Sequence, residues 1–85
     1  MATYKILYWQ EIPSQIRAED ERDDVTVVLP AKFQERIDQL AALRGLSGSD
    51  DYLAQWRWSD EQERDGTAEE VAQAIKTELE AEAGW

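Results

Sequence analysis

The chain opens on a largely apolar stretch, Tyr4-Lys5-Ile6-Leu7-Tyr8-Trp9-Gln10-Glu11-Ile12, which reads as a strand. At a period of two, Tyr4, Ile6 and Tyr8 point to one face and Leu7 and Trp9 to the other. A strand apolar on both faces is covered on both, or nearly so, and in an 85-residue chain it belongs at the centre of the sheet. Pro13 has no N–H to give to a ladder, so the strand is expected to end near it. Ser14–Ala18 is then either a second short extended piece or a bent continuation of the first. The polar run Glu19-Asp20-Glu21-Arg22-Asp23-Asp24 reads as a hairpin tip joining two antiparallel strands, the second being Val25-Thr26-Val27-Val28-Leu29.

The period then changes. Pro30 is expected at the first helical position, where its missing N–H costs nothing. Phe33, Ile37, Leu40, Ala41 and Arg44 follow at helical spacing, and Gly45 supplies the stop. Ser49 suits an N-cap, with Asp50 and Asp51 at the positive end of a short helix running through about Gln55. Gln55–Ser59 alternates and puts Trp56 and Trp58 on one face of a strand. The competing reading, one helix from Ser49 to Arg64, points those two indoles about 160° apart. Asp60–Gly66 reads as a polar turn, and Thr67-Ala68-Glu69-Glu70 as a capping box. The helix it starts carries Ala68, Val71, Ala72, Ile75 and Leu79 on one face. Glu78, Glu80 and Glu82 sit at its negative end and are expected to make it fray. Trp85 either folds back onto a face or anchors a partner.

These elements predict a single α+β domain over residues 1–85. It holds a small antiparallel sheet of three or four strands with two helices packed on one face, in the order β-β(-β)-α-β-α. Composition changes the picture mainly by subtraction. There is no His and no Cys. The commonest general base and metal ligand, thiolate nucleophiles and zinc ribbons are therefore excluded, and a reducing, cytoplasmic setting is the natural expectation. No glycine-rich phosphate loop, nucleophile elbow, calcium-loop spacing, signal peptide or membrane-length apolar run is present. The chain is read as a non-enzyme that needs no cofactor or metal.

Charge narrows the partners. The formal net charge is −10, and residues 46–85 hold eleven acids against three bases. Such a field repels nucleic acid and anionic lipid, so neither is an expected partner. The aromatics point the other way. Tyr8, Trp9, Tyr52, Trp56 and Trp58 exceed what so small a core easily hides, and Arg57 stands between two Trp. These six are the candidate interaction residues. Arg57 is expected to stack on a Trp or to pair with a partner's carboxylate.

Taken together, Tyr-x-Ile-Leu-Tyr-Trp with Ile12-Pro13, Leu29-Pro30 before Phe33-Gln34 and Ile37-Asp38, Gly45-Leu46, Asp51-Tyr52-Leu53, Trp56-Arg57-Trp58 and Gly-Thr-x-Glu-Glu-Val at Gly66–Val71 resemble the small bacterial virulence factor domain family. That domain also occurs as a module of larger conserved virulence factors. Its name describes no biochemical activity, and it assigns no catalytic residue that could be carried over. The resemblance implies an accessory subunit, with an association to one-carbon enzymes such as corrinoid and folate methyltransferases. The family pattern places Gly at the hairpin tip, where this chain has Glu19-Asp20-Glu21.

Three functions are consistent with these readings. The leading one is a non-enzymatic protein-interaction module, either a homo-oligomer or an accessory subunit, that uses aromatic surface. The second is a folate- or corrinoid-binding accessory protein with Tyr8 and Trp56 as a stacking platform. The third is an acidic inhibitor that mimics nucleic acid. If both helices lie on one side, one apolar face of the first strand is left to be covered by the Trp56/Trp58 segment, a second subunit or a partner.

Overall fold

The computed structural model describes residues 1–46, 48 and 50–83. The positions of Ser49 as an N-cap and of Trp85 at a face therefore lie outside the described residues. The described chain forms β1 (Ala2–Trp9), β2 (Ile12–Glu19), β3 (Asp24–Val28), α1 (Ala31–Leu43), α2 (Asp50–Ala54), β4 (Trp56–Trp58), β5 (Gln62–Arg64) and α3 (Ala68–Ala83). All pairings are antiparallel, in the order β3-β2-β1-β4, and β5 pairs with β1 on the same side as β4. The sheet thus has four lanes, the last shared by two short strands. The class is α+β, with β1 central as its two apolar faces require.

Pro13 corrects the first boundary. β1 stops at Trp9, a two-residue turn at Gln10-Glu11 follows, and Pro13 lies inside β2. It is tolerated there because the ladder is irregular at that point: Leu7 faces Gln15 but Tyr8 faces Pro13, which leaves Ser14 as an extra residue. The freed Ser14 carbonyl accepts from Leu29 N–H at 3.0 Å. Gln10 turns the chain with φ of 51°, and its amide N–H and side chain are held by the Gln55 carbonyls of backbone and side chain at 3.3 and 3.2 Å.

The sequence predicts a polar turn over Asp60–Gly66, and the structure places β5 inside it. Ser59–Glu61, three residues, span the two residues Lys5 and Ile6 between the β4 and β5 pairings, so the fourth lane carries a bulge. Ser59 fills the gap by bonding both ways. Its N–H donates to the Ile6 carbonyl at 2.8 Å, and its Oγ accepts from Ile6 N–H at 2.9 Å. Only after this bulge does the chain resume pairing, with Tyr4 Oη donating to Gln62 Oε1 at 3.0 Å.

The helices follow the sequence closely, with one shift. Pro30 is the N-cap, not the first helical residue (φ −54°, ψ 156°), and Phe33 N–H reaches its carbonyl at 3.0 Å. Phe33, Ile37 and Ala41 are the buried stripe of α1. Arg44 leaves that stripe and pairs with Glu11 at 3.0 Å. At its end Leu46 N–H bonds the Ala41 carbonyl at 2.8 Å and Gly45 N–H the Ala42 carbonyl at 3.2 Å, a Schellman closure. Its hinge needs the left-handed φ of 70° that Gly45 adopts without a Cβ penalty. α2 stops at Ala54, so the one-helix reading of Ser49–Arg64 is excluded and Trp56–Trp58 is a strand.

α3 starts with the expected capping box: Glu70 N–H donates to Thr67 Oγ1 at 3.2 Å and Thr67 N–H to Glu70 Oε1 at 3.3 Å. A third contact was not legible in sequence. The Asp20 carboxylate, from the β2–β3 tip, accepts from Ala68 N–H, Arg22 N–H and Asp23 N–H, each at 2.7 Å. One side chain therefore ties the hairpin to the helix and closes a turn that needs no glycine. These bonds favour the ionised form and hold Asp20 below the ordinary aspartate value, the Ala68 amide contributing most. A depressed native pKa means the stabilisation is present above about pH 3.8 and fades as pH falls through the lower native value. Melting curves of wild type and Asp20→Asn are expected to differ most near pH 6 and to converge as pH falls well below 4. A constant gap down to pH 2 would contradict the cap.

α3 crosses β1, β2 and β3, while α1 packs on β2. Ala2, Ile6, Ile16 and Ala18 from the sheet meet Val71, Ala72 and Ile75 of α3 in one core, with Tyr4, Tyr8, Val25 and Val27 half-buried at its margin. Arg64 of β5 pairs with Glu78 at 2.6 Å, and Lys76 with Glu80 at 3.2 Å, so two of the acids in the last turns of α3 have cationic partners. No described helix is long and apolar enough to cross a membrane.

Candidate interaction surface

The two sides of β1 have different fates. Ala2, Tyr4, Ile6 and Tyr8 lie under α3. The pairings Tyr4–Gln62, Ala2–Arg64 and Tyr8–Arg57 place Arg64 and Arg57 on that side too, which matches the bond from Arg64 to Glu78. Thr3, Lys5 and Leu7 face away from α3, next to Arg17, Gln15 and Glu19 of β2, Asp24, Thr26 and Val28 of β3, and Trp58 of β4. This side is open over most of its length: Val28 is 67 % exposed and Trp58 41 %.

The six aromatic-region candidates separate in this frame. Trp9 is fully buried, with its indole N–H on the Tyr52 carbonyl at 2.9 Å. Contrary to the sequence expectation it is no contact residue, because its indole has no surface left to offer. Tyr52 and Trp56 are half-buried around it. The Trp9 and Tyr52 ring centroids are 5.5 Å apart with planes at 37°, and Tyr52 meets Trp56 edge-on at 6.2 Å. This trio fastens α2 and β4 to the end of β1. Tyr8 lies on the α3 side, and Arg57 lies over its ring at 5.6 Å, not on a Trp as the sequence had suggested. Trp58 alone of the six stands exposed on the open side, directly across from Leu7.

Trp58 is held in place by a residue that no motif in the sequence marks. The Lys5 ammonium sits 4.8 Å from its ring centroid, a diagonal cross-strand neighbour on the same face. The available signal was the parity of Lys5 with Leu7. Arg17 and Asp24 add a two-pronged pair on the same side, at 2.7 and 3.2 Å. A shallow hollow of about 310 Å³ runs among Thr3, Lys5, Arg17, Glu19 and Glu61.

On the other side, a cleft of about 330 Å³ is lined by Tyr8, Ile12, Pro13, Phe33 and Leu79, with Glu11 and Glu82 at its rim. Burial raises the Tyr8 phenol above its ordinary pKa, helped by the Glu82 charge and opposed by Arg57, so it remains a hydroxyl donor at neutral pH. Tyr8 and Trp56 cannot form the imagined stacking platform, because adjacent cross-strand pairs point to opposite sides and Trp56 belongs with Trp9.

No polar or charged side chain is buried among the described residues, and no group of three acids there is spaced to hold a metal. Glu11, Asp24 and Glu78 are all lowered below ordinary carboxylate values, first by hydrogen bonds from Arg44, Arg17 and Arg64 respectively. A general acid working at neutral pH requires a shift in the other direction.

A family model described as "Virulence factor" matches residues 7–83. No curated protein and no solved structure matches the chain.

Proposed function

The chain belongs to the Virulence factor family, and we propose that it acts as a non-enzymatic protein-interaction module, docking a partner protein on the open side of its sheet. The observation that carries this reading is Trp58, 41 % exposed and pinned by Lys5 beside Leu7, on the part of the sheet face that lies beyond the α2 cover over Trp9. A Trp pre-ordered by a cation has lost part of its rotamer freedom before binding, which is what a binding hot spot requires. Flanking Lys5, Arg17, Asp24 and Glu61 supply a mixed-charge polar rim. The lowered carboxylates and the lack of His and Cys favour binding over catalysis. A cytoplasmic setting agrees with a chain free of cysteine.

The test is affinity capture from the native host with wild-type protein and Trp58→Ala in parallel. Wild type is expected to retain a defined partner that Trp58→Ala loses, while the two give the same circular dichroism spectrum. Equal capture by both proteins would reject the open side as the docking surface.

A further inference from the structure

We infer that the β3 edge is a strand-pairing site for a second copy of this chain, joining two sheets into one through an antiparallel β3–β3 contact centred on Thr26. This goes beyond the docking role of Trp58, since it uses the main chain at the opposite edge of the sheet.

The backbone polarity of β3 is fixed by one bond. Leu29 N–H points toward β2, onto the Ser14 carbonyl at 3.0 Å. Alternation then turns the amides and carbonyls of Val27 and Val25 inward as well, opposite Ile16 and Ala18. The amides and carbonyls of Asp24, Thr26 and Val28 consequently point outward, away from β2. No backbone bond to another segment of the described residues engages them.

The two edges of the sheet are treated differently. The β4/β5 edge is broken into two three-residue strands by the bulge at Ser59–Glu61, and it carries Arg57, Glu61 and Glu63. Short length, a bulge and charges are the usual protections against edge-to-edge pairing. β3 is longer than either of those strands, has no bulge and carries one charge. It pairs with β2 over five consecutive residues with no register shift, and Pro30 comes only after its end. Its sequence is Asp-Val-Thr-Val-Val, and its single charge, Asp24, is already neutralised by Arg17 at 2.7 Å. Val25 to Val28 carry no charge, and the acids at this edge are confined to Asp24 and the hairpin tip before it.

Self-pairing is selected by the register. In an antiparallel pair outward residues oppose outward residues, and the register that uses all five residues of both strands sets Thr26 against its own copy and Asp24 against Val28 on both sides of the two-fold axis. No like charges then face each other, and the β-branched residues on the two strands are cross-strand neighbours. Val28, 67 % exposed, gains a partner. The general repulsion between two acidic chains remains, so the contact should be weak at low salt and strengthen as salt screens it.

Sedimentation equilibrium on the whole chain over a concentration series, at 0.05 and 0.5 M NaCl, tests this. The expected result is a mass rising toward twice the 9.8 kDa of one chain as concentration increases, more readily at high salt. Thr26→Pro removes an outward amide that the β2 ladder does not use, and Val28→Lys places a charge at the edge. Both are expected to keep the circular dichroism of wild type and to remain monomeric. A wild-type monomer at millimolar concentration in high salt would overturn the inference, as would a dimer unchanged by both variants. Thr26→Pro should still capture the partner that Trp58→Ala loses, which separates this contact from the open-side docking.

Discussion

Trp9→Ala is expected to leave the protein unfolded or barely folded at room temperature. Truncating a fully buried Trp typically costs about 3–5 kcal/mol. A chain of this length is expected to hold by only ~4–13 kcal/mol in all. Trp9 has no exposed surface, so the full transfer and cavity costs apply. The substitution also strips the Tyr52 carbonyl of its 2.9 Å bond from the indole N–H, leaving only the 3.3 Å bond from Gln55 N–H, and removes the ring that Tyr52 packs on at 5.5 Å. Tyr52 is the hinge of the segment that returns the chain to β1 as β4. Loss of Trp9 therefore loosens a whole lane of the sheet as well as opening a hole. Urea titration followed by circular dichroism should show a midpoint near zero or a sharply reduced one. A midpoint within error of wild type would mean that Trp9 is not the fastening described.

Phe33→Ala is the second large effect, expected at about 3 kcal/mol, the low end of the range for a buried aromatic. Phe33 is 1 % exposed, on the first turn of α1, where it meets β2 and the end of α3. It differs from Trp9 in lining the open cleft of about 330 Å³ with Tyr8, Ile12, Pro13 and Leu79. Water and the flexible Leu79 side chain can enter the space it vacates, so less of the cavity cost is realised. The same titration should give a two-state transition at lower urea, with Phe33→Leu recovering most of the loss. If Phe33→Ala proved more damaging than Trp9→Ala, the order of importance of the two core regions would be reversed.

Much of the fold was legible because its elements carry clean periods. The β-branched run of β3, the Phe33–Ile37–Ala41 stripe of α1 and the Thr67–Glu70 box of α3 each announce themselves within a few residues. The alternation of Trp56 and Trp58 correctly outweighed helix propensity. The failures are equally local in cause. β5 is Gln-Glu-Arg, without one apolar residue, and becomes a strand because the Ser59 bulge delivers it to the free edge of β1. Pro13 signals a break, and there is one, but the break is a one-residue slip inside β2 that the turn at Gln10 precedes. Asp20 looks like any acid in a polar tip, and its role depends on Ala68, 48 residues away.

The candidate surface was legible in kind but not in detail. An excess of aromatics over available core pointed to a contact surface, and the uncovered side of β1 was anticipated from its two apolar faces. Sorting the aromatics required tertiary structure. Trp9 and Trp58 share a sheet face by strand parity, and nothing in the sequence says that Tyr52 closes over one and leaves the other open. Lys5 went unnoticed for the same reason, because its partner lies more than fifty residues on.

The most direct measurement of the open side as the docking surface is a calorimetric binding isotherm of the captured partner against wild-type protein and Trp58→Ala. A central, pre-ordered Trp is expected to carry at least ~2 kcal/mol of the binding energy, so affinity should fall about 30-fold or more. The melting temperature should change little beside that of Trp9→Ala. Equal affinities for the two proteins would contradict the assignment and move the interaction site elsewhere on the molecule.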